Sequence, residues 1–162
     1  YRPAEAARAL AILRELGTPC LIHQPRYSMF DRWVEDGLLD ILDREGVGCI
    51  PFSPLEQGLL TDKYIKGIPE GSRASKAHGF LKKHQITDEK VNTVLALNEI
   101  AKSRGQKLAH MALSWILKSP VITSVLIGVS SVDQLHDSLL CLKNYDFSEE
   151  ELQKIERVLG EK

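Results

Sequence analysis

Three short stretches carry the residue types that could hold a ligand. The first is Gln24-Pro25-Arg26-Tyr27-Ser28, the second Phe52-Ser53-Pro54-Leu55-Glu56-Gln57-Gly58, and the third Gly128-Val129-Ser130-Ser131-Val132-Asp133-Gln134. The third is a glycine followed by small hydroxyl residues at the start of a helical pattern. Backbone N–H groups at such a helix start point outward, and the helix dipole adds partial positive charge, which together suit a phosphate. Gly128 would let the backbone approach an anion closely. An ordinary serine N-cap at Ser130 or Ser131 explains the same residues. Lys63 and Arg73 lie in a long irregular segment. They either reach phosphate oxygens, which arginine can fork, or are solvated loop charges. Phe52 and Tyr27 offer flat faces to an aromatic ring, or belong to the core.

Other chemistries have no support. His23, His78, His84, His110 and His136 show no metal-ligand spacing, so no metal site is expected. There is no G-x-S-x-G, no Walker lysine loop and no G-x-G-x-x-G. The 21 Lys+Arg and 22 Asp+Glu give a formal charge of -1, without the basic excess of a nucleic-acid binder. The longest apolar-rich run, 121–132, is too short and too polar for a membrane span. Cys20, Cys49 and Cys141 are widely spaced and odd in number. They read as reduced thiols in a cytoplasmic protein, and Cys20 and Cys49 as small buried hydrophobes.

The three stretches follow short apolar runs at 20–24, 47–52 and 123–127, which read as buried strands. Between and around them lie helical patterns at 2–16, 33–45, 88–103, 108–117 and 132–142. A last helix runs to Leu159, opened by the capping box at Ser148. Strands that are apolar throughout and alternate with helices point to a parallel α/β sheet built from right-handed crossovers. In such sheets ligands sit at the carboxyl ends of the strands. Three strands leave two open edges and a poorly covered face. The chain also begins Tyr1-Arg2-Pro3, without an initiator methionine, and enters a helix directly. Both features suggest a closed eight-stranded barrel whose first half lies upstream.

In order and spacing, these stretches resemble the aldo-keto reductases. The resemblance runs through residues 22–30, 52–64, 68–73 and 126–135 and covers essentially the whole chain. It implies the C-terminal half, residues 1–162, of a (β/α)8 TIM barrel. The branch it is most similar to is the bacterial L-glyceraldehyde 3-phosphate reductases, themselves similar to the β subunits of voltage-gated potassium channels. By this resemblance the complete barrel reduces an aldehyde or ketone with NADPH, with glyceraldehyde 3-phosphate or related aldehydes among the substrates it implies and nothing in the residues to choose between them. Gln24 would hydrogen-bond the nicotinamide carboxamide, and Phe52 would stack on the ring. Ser53, Pro54, Leu55 and Gly58 match the loop along the pyrophosphate. Lys63 and Arg73 match basic residues near the adenosine phosphates. Gly128, Ser130 and Gln134 match the adenosine and 2′-phosphate loop. Asp137 and Ser138 stand where the family often has Glu and Asn against the adenine, and are shorter.

The family's catalytic Asp, Tyr, Lys and His belong to the first half of its barrel, and none is assigned in this chain. Tyr27, Tyr64 and Tyr145 are not substitutes. This half alone is expected to be inactive. The expected partner is a small-molecule carbonyl substrate, with no nucleic acid and no membrane. Oligomeric state stays open, a homo-oligomer included. The alternative is a non-catalytic, cofactor-binding regulatory subunit resembling the channel β subunits. A free-standing half-barrel would self-associate through its open sheet edges.

Overall fold

The computed structural model describes residues 1–65, 67, 84 and 86–160. The chain divides into two compact units. Unit 1 comprises Tyr1–Pro54 and Ile116–Gly128, and unit 2 comprises Leu55–Trp115 and Val129–Lys162.

Unit 1 opens with α1 (Pro3–Glu15), whose proline lies in the first turn, where a missing N–H costs nothing. Ala6 and Leu10 are buried, and the helix packs on α2 (Leu38–Glu45). Arg14 and Glu45 pair across that contact. The 33–45 pattern is two elements, a 3₁₀ turn at Trp33–Glu35 and then α2. Gly37 separates them with φ 95°, a left-handed value that a continuous helix cannot contain.

Three segments pair in parallel. Only β1 (Ile22–His23) and β2 (Gly48–Cys49) form a regular ladder, with Ile22 opposite Gly48 and His23 opposite Cys49. Pairing continues beyond it, with the Phe52 N–H donating to Pro25 O at 2.9 Å and the Tyr27 N–H to Phe52 O at 3.3 Å. The ladder is shorter than the apolar runs because Pro25 falls where the first segment would next donate, and proline has no N–H.

The third segment joins β2 only through bridges at Cys49–Ile122 and Phe52–Leu126. The register shifts by one residue between them, so 123–125 contain a bulge that prevents a continuous strand. Gly48 faces this bulge. A Cβ there would lie 2.8 Å from Thr123 Oγ1, so only glycine fits without displacement.

The sheet has one covered and one open face. His23 is half-buried and Pro25, Cys49, Pro51 and Ile122 are buried. Alternating with them, Ile22 (51% exposed), Gln24, Arg26, Phe52 (39%) and Leu126 (48%) are open to solvent. This is the period of two expected of a pleated strand, with apolar residues on both faces.

Unit 2 contains α3 (Asp88–Ser103), most of α4 (Leu108–Leu117), α5 (Val132–Leu139) and α6 (Glu149–Leu159). Thr87 caps α3 by accepting from the Lys90 N–H, and Ser148 and Glu151 form a reciprocal capping box on α6. These two helices pack together. In α4 nearly every side chain is buried, Met111, Ala112, Leu113, Trp115 and Ile116 among them. α5 is shorter than its 132–142 pattern, because the chain tightens into a 3₁₀ turn at Leu140–Lys143. Among the described residues no helix is long and apolar enough to cross a membrane. The three cysteines are free, Cys49 and Cys141 buried and Cys20 partly so.

One side chain ties the C-terminal part of unit 2 together. Arg104, whose side chain is 1% exposed, pairs with Glu151 at 2.5 Å and lies 3.8 Å over the Phe147 ring. It also donates to the carbonyls of Asn144 (3.2 Å) and Asp146 (2.8 Å) and to Gln106 Oε1 (2.9 Å). Asn144 Nδ2 donates back to Arg104 O at 3.1 Å. Arg104→Ala would strip Glu151 of its cationic partner and Asp146 O of its donor, while Glu151 keeps the Ser148 N–H and Asn144 O keeps Gln106 Nε2. It is expected to cost about 2–3 kcal/mol, read as a lowered urea midpoint, and Arg104→Lys is expected to recover little because it lacks the planar fork.

Partial burial opposes ionisation of Glu151, but the Ser148 N–H and the Arg104 guanidinium outweigh it and hold the carboxyl below its usual value. Its stabilising contribution is therefore full above the unfolded-state carboxylate range and lost as pH falls through the folded value. Thermal unfolding midpoints measured on acidification are expected to fall less in Glu151→Gln than in the native chain.

Candidate functional site

In unit 1 the strand ends bring two predicted residues to the same open face. The parallel bridge between Arg26 and Phe52 sets the register, and Gln24 lies one pleat before Arg26. Gln24 and Phe52 therefore lie on neighbouring segments of the same exposed face. An amide that can donate and accept beside an exposed aromatic face suits a planar, polar heteroaromatic ring.

Tyr27 does not join them. It is 1% exposed and its hydroxyl donates to Glu35 Oε1 at 2.8 Å, so of the two aromatic candidates it is the core residue. The same Glu35 receives Arg32 Nε at 2.9 and 3.0 Å. Ser28 and Asp31 exchange backbone bonds of 3.1 Å each, and the Phe30 N–H donates to Ser28 Oγ at 3.2 Å. Arg26 Nε lies 3.2 Å from Asp31 Oδ2. The loop after β1 is thus fixed by its own polar contacts, which the sequence pattern did not signal. His23 is held below its ordinary pKa chiefly by burial, so the covered face carries a neutral imidazole near pH 7.

The segment after Phe52 is strained. Ser53 (φ 57°), Glu56 (φ 46°) and Gln57 (φ 59°) are the non-glycine residues with left-handed backbones among those described. Such residues cost free energy and concentrate at ligand sites. Pro54 is buried, and Leu55 O accepts from the N–H groups of Gly58 (2.8 Å) and Leu60 (3.1 Å). Gly58 takes φ 95°. Thr61 Oγ1 donates to Gly58 O at 2.7 Å and accepts from the Lys63 N–H at 3.2 Å, which pins the short turn (Asp62–Tyr64) carrying the exposed Lys63. Arg73 lies outside the described residues.

Around the third stretch, Ser131 caps α5 by accepting from the Gln134 N–H at 3.2 Å. Gln134 Oε1 accepts from the Ser130 N–H at 2.8 Å and from Ser130 Oγ at 3.1 Å. The turn thus presents a donor pair that already holds an oxygen. Gly128 does not have a left-handed backbone, and no atom lies within 4 Å of an added Cβ, so the chain's own packing does not require glycine there.

Ser138 Oγ donates to Gln134 O at 2.9 Å. Asp137 Oδ1 accepts from Lys107 Nζ at 2.6 Å, and Oδ2 lies 3.3 Å from His110 Nε2. The Lys107 hydrogen bond chiefly holds the Asp137 carboxyl below its usual range, against the opposing effect of desolvation and with a lesser contribution from His110. Among the described residues no group of three or more His, Cys, Asp or Glu is placed to hold a metal.

The backbone strain gives a direct test. Gln57→Val, a β-branched residue at a left-handed position, is expected to destabilise by about 1–2 kcal/mol, whereas Gln57→Gly relieves the backbone cost. Differential scanning calorimetry of the two variants checks the order.

Residues 2–159 match the profile of the Aldo/keto reductase family. Over 166 aligned positions the chain is 46% identical to the L-glyceraldehyde 3-phosphate reductase of Escherichia coli (strain K12), an alignment covering 99% of this chain and 48% of that protein. It is 33% identical over 142 positions to a putative voltage-gated potassium channel subunit beta of Schizosaccharomyces pombe, covering 85% of this chain and 41% of that protein. The probable voltage-gated potassium channel subunit beta of Oryza sativa subsp. japonica is likewise 33% identical, over 146 positions, with coverages of 88% and 44%. The chain spans about half the length of the curated relatives it matches. With nearly its whole length inside the family profile, and its predicted strand-end residues Gln24 and Phe52 on one sheet face, this chain belongs to the aldo/keto reductase family.

Proposed function

We propose that the polypeptide carrying this chain is an NADPH-dependent reductase of aldehydes or ketones. In this reading residues 1–162 are the C-terminal half of a (β/α)8 barrel and supply most of the cofactor site. The observation that carries it is the open sheet face, where the Gln24 amide and the Phe52 ring stand on adjacent strands at their carboxyl ends. These residues fit a nicotinamide. Phe52 would stack on one face of the ring and Gln24 would hydrogen-bond the carboxamide, which leaves the other face to the substrate. When bound, the cofactor supplies the hydride.

The other assignments follow the order of the chain. Ser53, Pro54, Leu55 and Gly58 would line the pyrophosphate, and the strained backbone at Ser53, Glu56 and Gln57 supports a ligand at this loop. Lys63 and Arg73 would meet the adenosine phosphates. Gly128, Ser130 and Gln134 would meet the adenosine and the 2′-phosphate, with an anion oxygen taking over the Ser130 N–H that Gln134 Oε1 now holds. The adenine-side role of Asp137 and Ser138 has least support, since both side chains are engaged within the chain. The proton donor and its partners would come from the other half of the barrel. Similarity to an L-glyceraldehyde 3-phosphate reductase favours a phosphorylated triose aldehyde as substrate. Free thiols suit a reducing, cytoplasmic compartment.

A second reading, a cofactor-holding regulatory subunit without turnover, is favoured by the 33% identity to channel β subunits. Intact mass of the natural polypeptide, followed by aldehyde-dependent NADPH oxidation, separates the readings. A mass near twice that of 162 residues with turnover supports the reductase. Tight NADPH binding without carbonyl turnover supports the subunit.

Within the natural polypeptide, Phe52→Ala is expected to weaken NADPH binding about three- to tenfold through lost stacking. Arg73→Ala is expected to weaken NADPH more than NADH, and an equal loss would reject its 2′-phosphate role. Fluorescence titration measures both.

A further inference from the structure

α5 buries none of its eight residues. A helix without a buried apolar anchor takes its orientation from its ends and from polar contacts to other elements. At its C-terminal side, the 3₁₀ turn is held where Ser114 Oγ lies 2.9 Å from Cys141 O. Along the helix itself, Asp137 reaches the start of α4. There Lys107 Nζ donates to Oδ1 at 2.6 Å, and the buried His110 places Nε2 at 3.3 Å from Oδ2, within ion-pair distance but without hydrogen-bond geometry. The two carboxylate oxygens are therefore directed to the start of a neighbouring helix, one to Lys107 immediately before α4 and one to His110 in its first turn. Asp137 is also one helical turn beyond Gln134, the residue that organises the 130–134 turn. Gln134 donates its N–H to Ser131 Oγ, accepts from Ser130 at Oε1, and accepts from Ser138 Oγ at its carbonyl.

We propose that Asp137 is a positioning residue. It clamps α5 to the first turn of α4 through Lys107 and His110, and so fixes the Ser130–Gln134 turn for a dinucleotide phosphate, rather than contacting the adenine. This inference rests on the proposed dinucleotide site. Its geometry lies wholly within unit 2. An adenine-contacting carboxylate would accept from the exocyclic amine. A clamp is indifferent to that amine and depends on Lys107.

The test uses the longest natural polypeptide that contains this sequence, titrated with NADP⁺ and with its hypoxanthine analogue, which lacks the exocyclic amine. All variants are measured below the onset of unfolding. Asp137→Asn and Lys107→Met are each expected to weaken both ligands about two- to fivefold, the range of a partly exposed ion pair. The double variant is expected to be no worse than the weaker single one, and Lys107→Arg to retain wild-type affinity. The ratio of the two ligands' affinities stays constant throughout.

A change of that ratio in Asp137→Asn, with Lys107→Met inert, would overturn the clamp in favour of direct adenine contact. Wild-type affinity in both single variants would also overturn it. If the native polypeptide binds neither ligand, the dinucleotide reading fails. Hydrogen exchange of the 135–139 amides then decides the clamp by itself. Faster exchange in both variants upholds it, and unchanged exchange rejects it.

Discussion

A parallel sheet with apolar residues on both faces must be covered on both. That constraint governs unit 1. His23, Pro25, Cys49, Pro51 and Ile122 make the face turned inward. Ile22, Ile50, Phe52 and Leu126 make an apolar face that remains half-buried or exposed. Towards the carboxyl ends that face carries the polar residues Gln24 and Arg26. The apolar part asks for protein cover and the polar end suits a ligand.

Much of this was legible in the sequence, and the exceptions have definite physical causes. α3 and α6 follow their patterns because Thr87 and Ser148 are strong caps with nothing competing nearby. The alternation of helix and strand was legible because the runs around β1, β2 and the third segment are short and mostly apolar between helical patterns. The break at Gly37 was not, since a single glycine in an otherwise helical pattern is compatible with either continuation or a stop. The strands came out shorter than their apolar runs for two reasons that hydrophobicity does not encode. Proline removes a rung at Pro25, and a bulge at 123–125 shifts the register. The sequence allowed Ser130 or Ser131 as the cap of α5, and hydrogen-bond geometry chose Ser131.

At the candidate site, Gln24 and Phe52 were singled out as strand-end residues and by the family resemblance, and alternation along adjacent parallel strands puts them on a common face. Tyr27 and Phe52 are alike in composition, yet one is core and the other open, a difference set by the phase of the pleat. The left-handed backbones of Ser53, Glu56 and Gln57 had no sequence signal, since none is glycine or asparagine. Neither did the partners of Asp137, which lie about 30 positions away. Arg104 shows the same limitation in the opposite sense. It looks like an ordinary charged residue at a helix end, but its burial and its contacts over 144–151 make it the centre of a polar core.

The cysteines carry a practical consequence. Burial pushes the Cys49 thiol up to about 11, and also raises Cys141. At neutral pH the thiolate fraction at Cys49 is on the order of one in ten thousand, so electrophiles find almost no nucleophile there. Cys20 is the partly exposed thiol, with Sγ 3.4 Å from Ile22 O at the amino-terminal foot of β1. A maleimide dye would therefore select Cys20 without engineering. It would report from the end of the strand opposite Gln24 and Phe52, which makes the chain its own singly labelled optical probe.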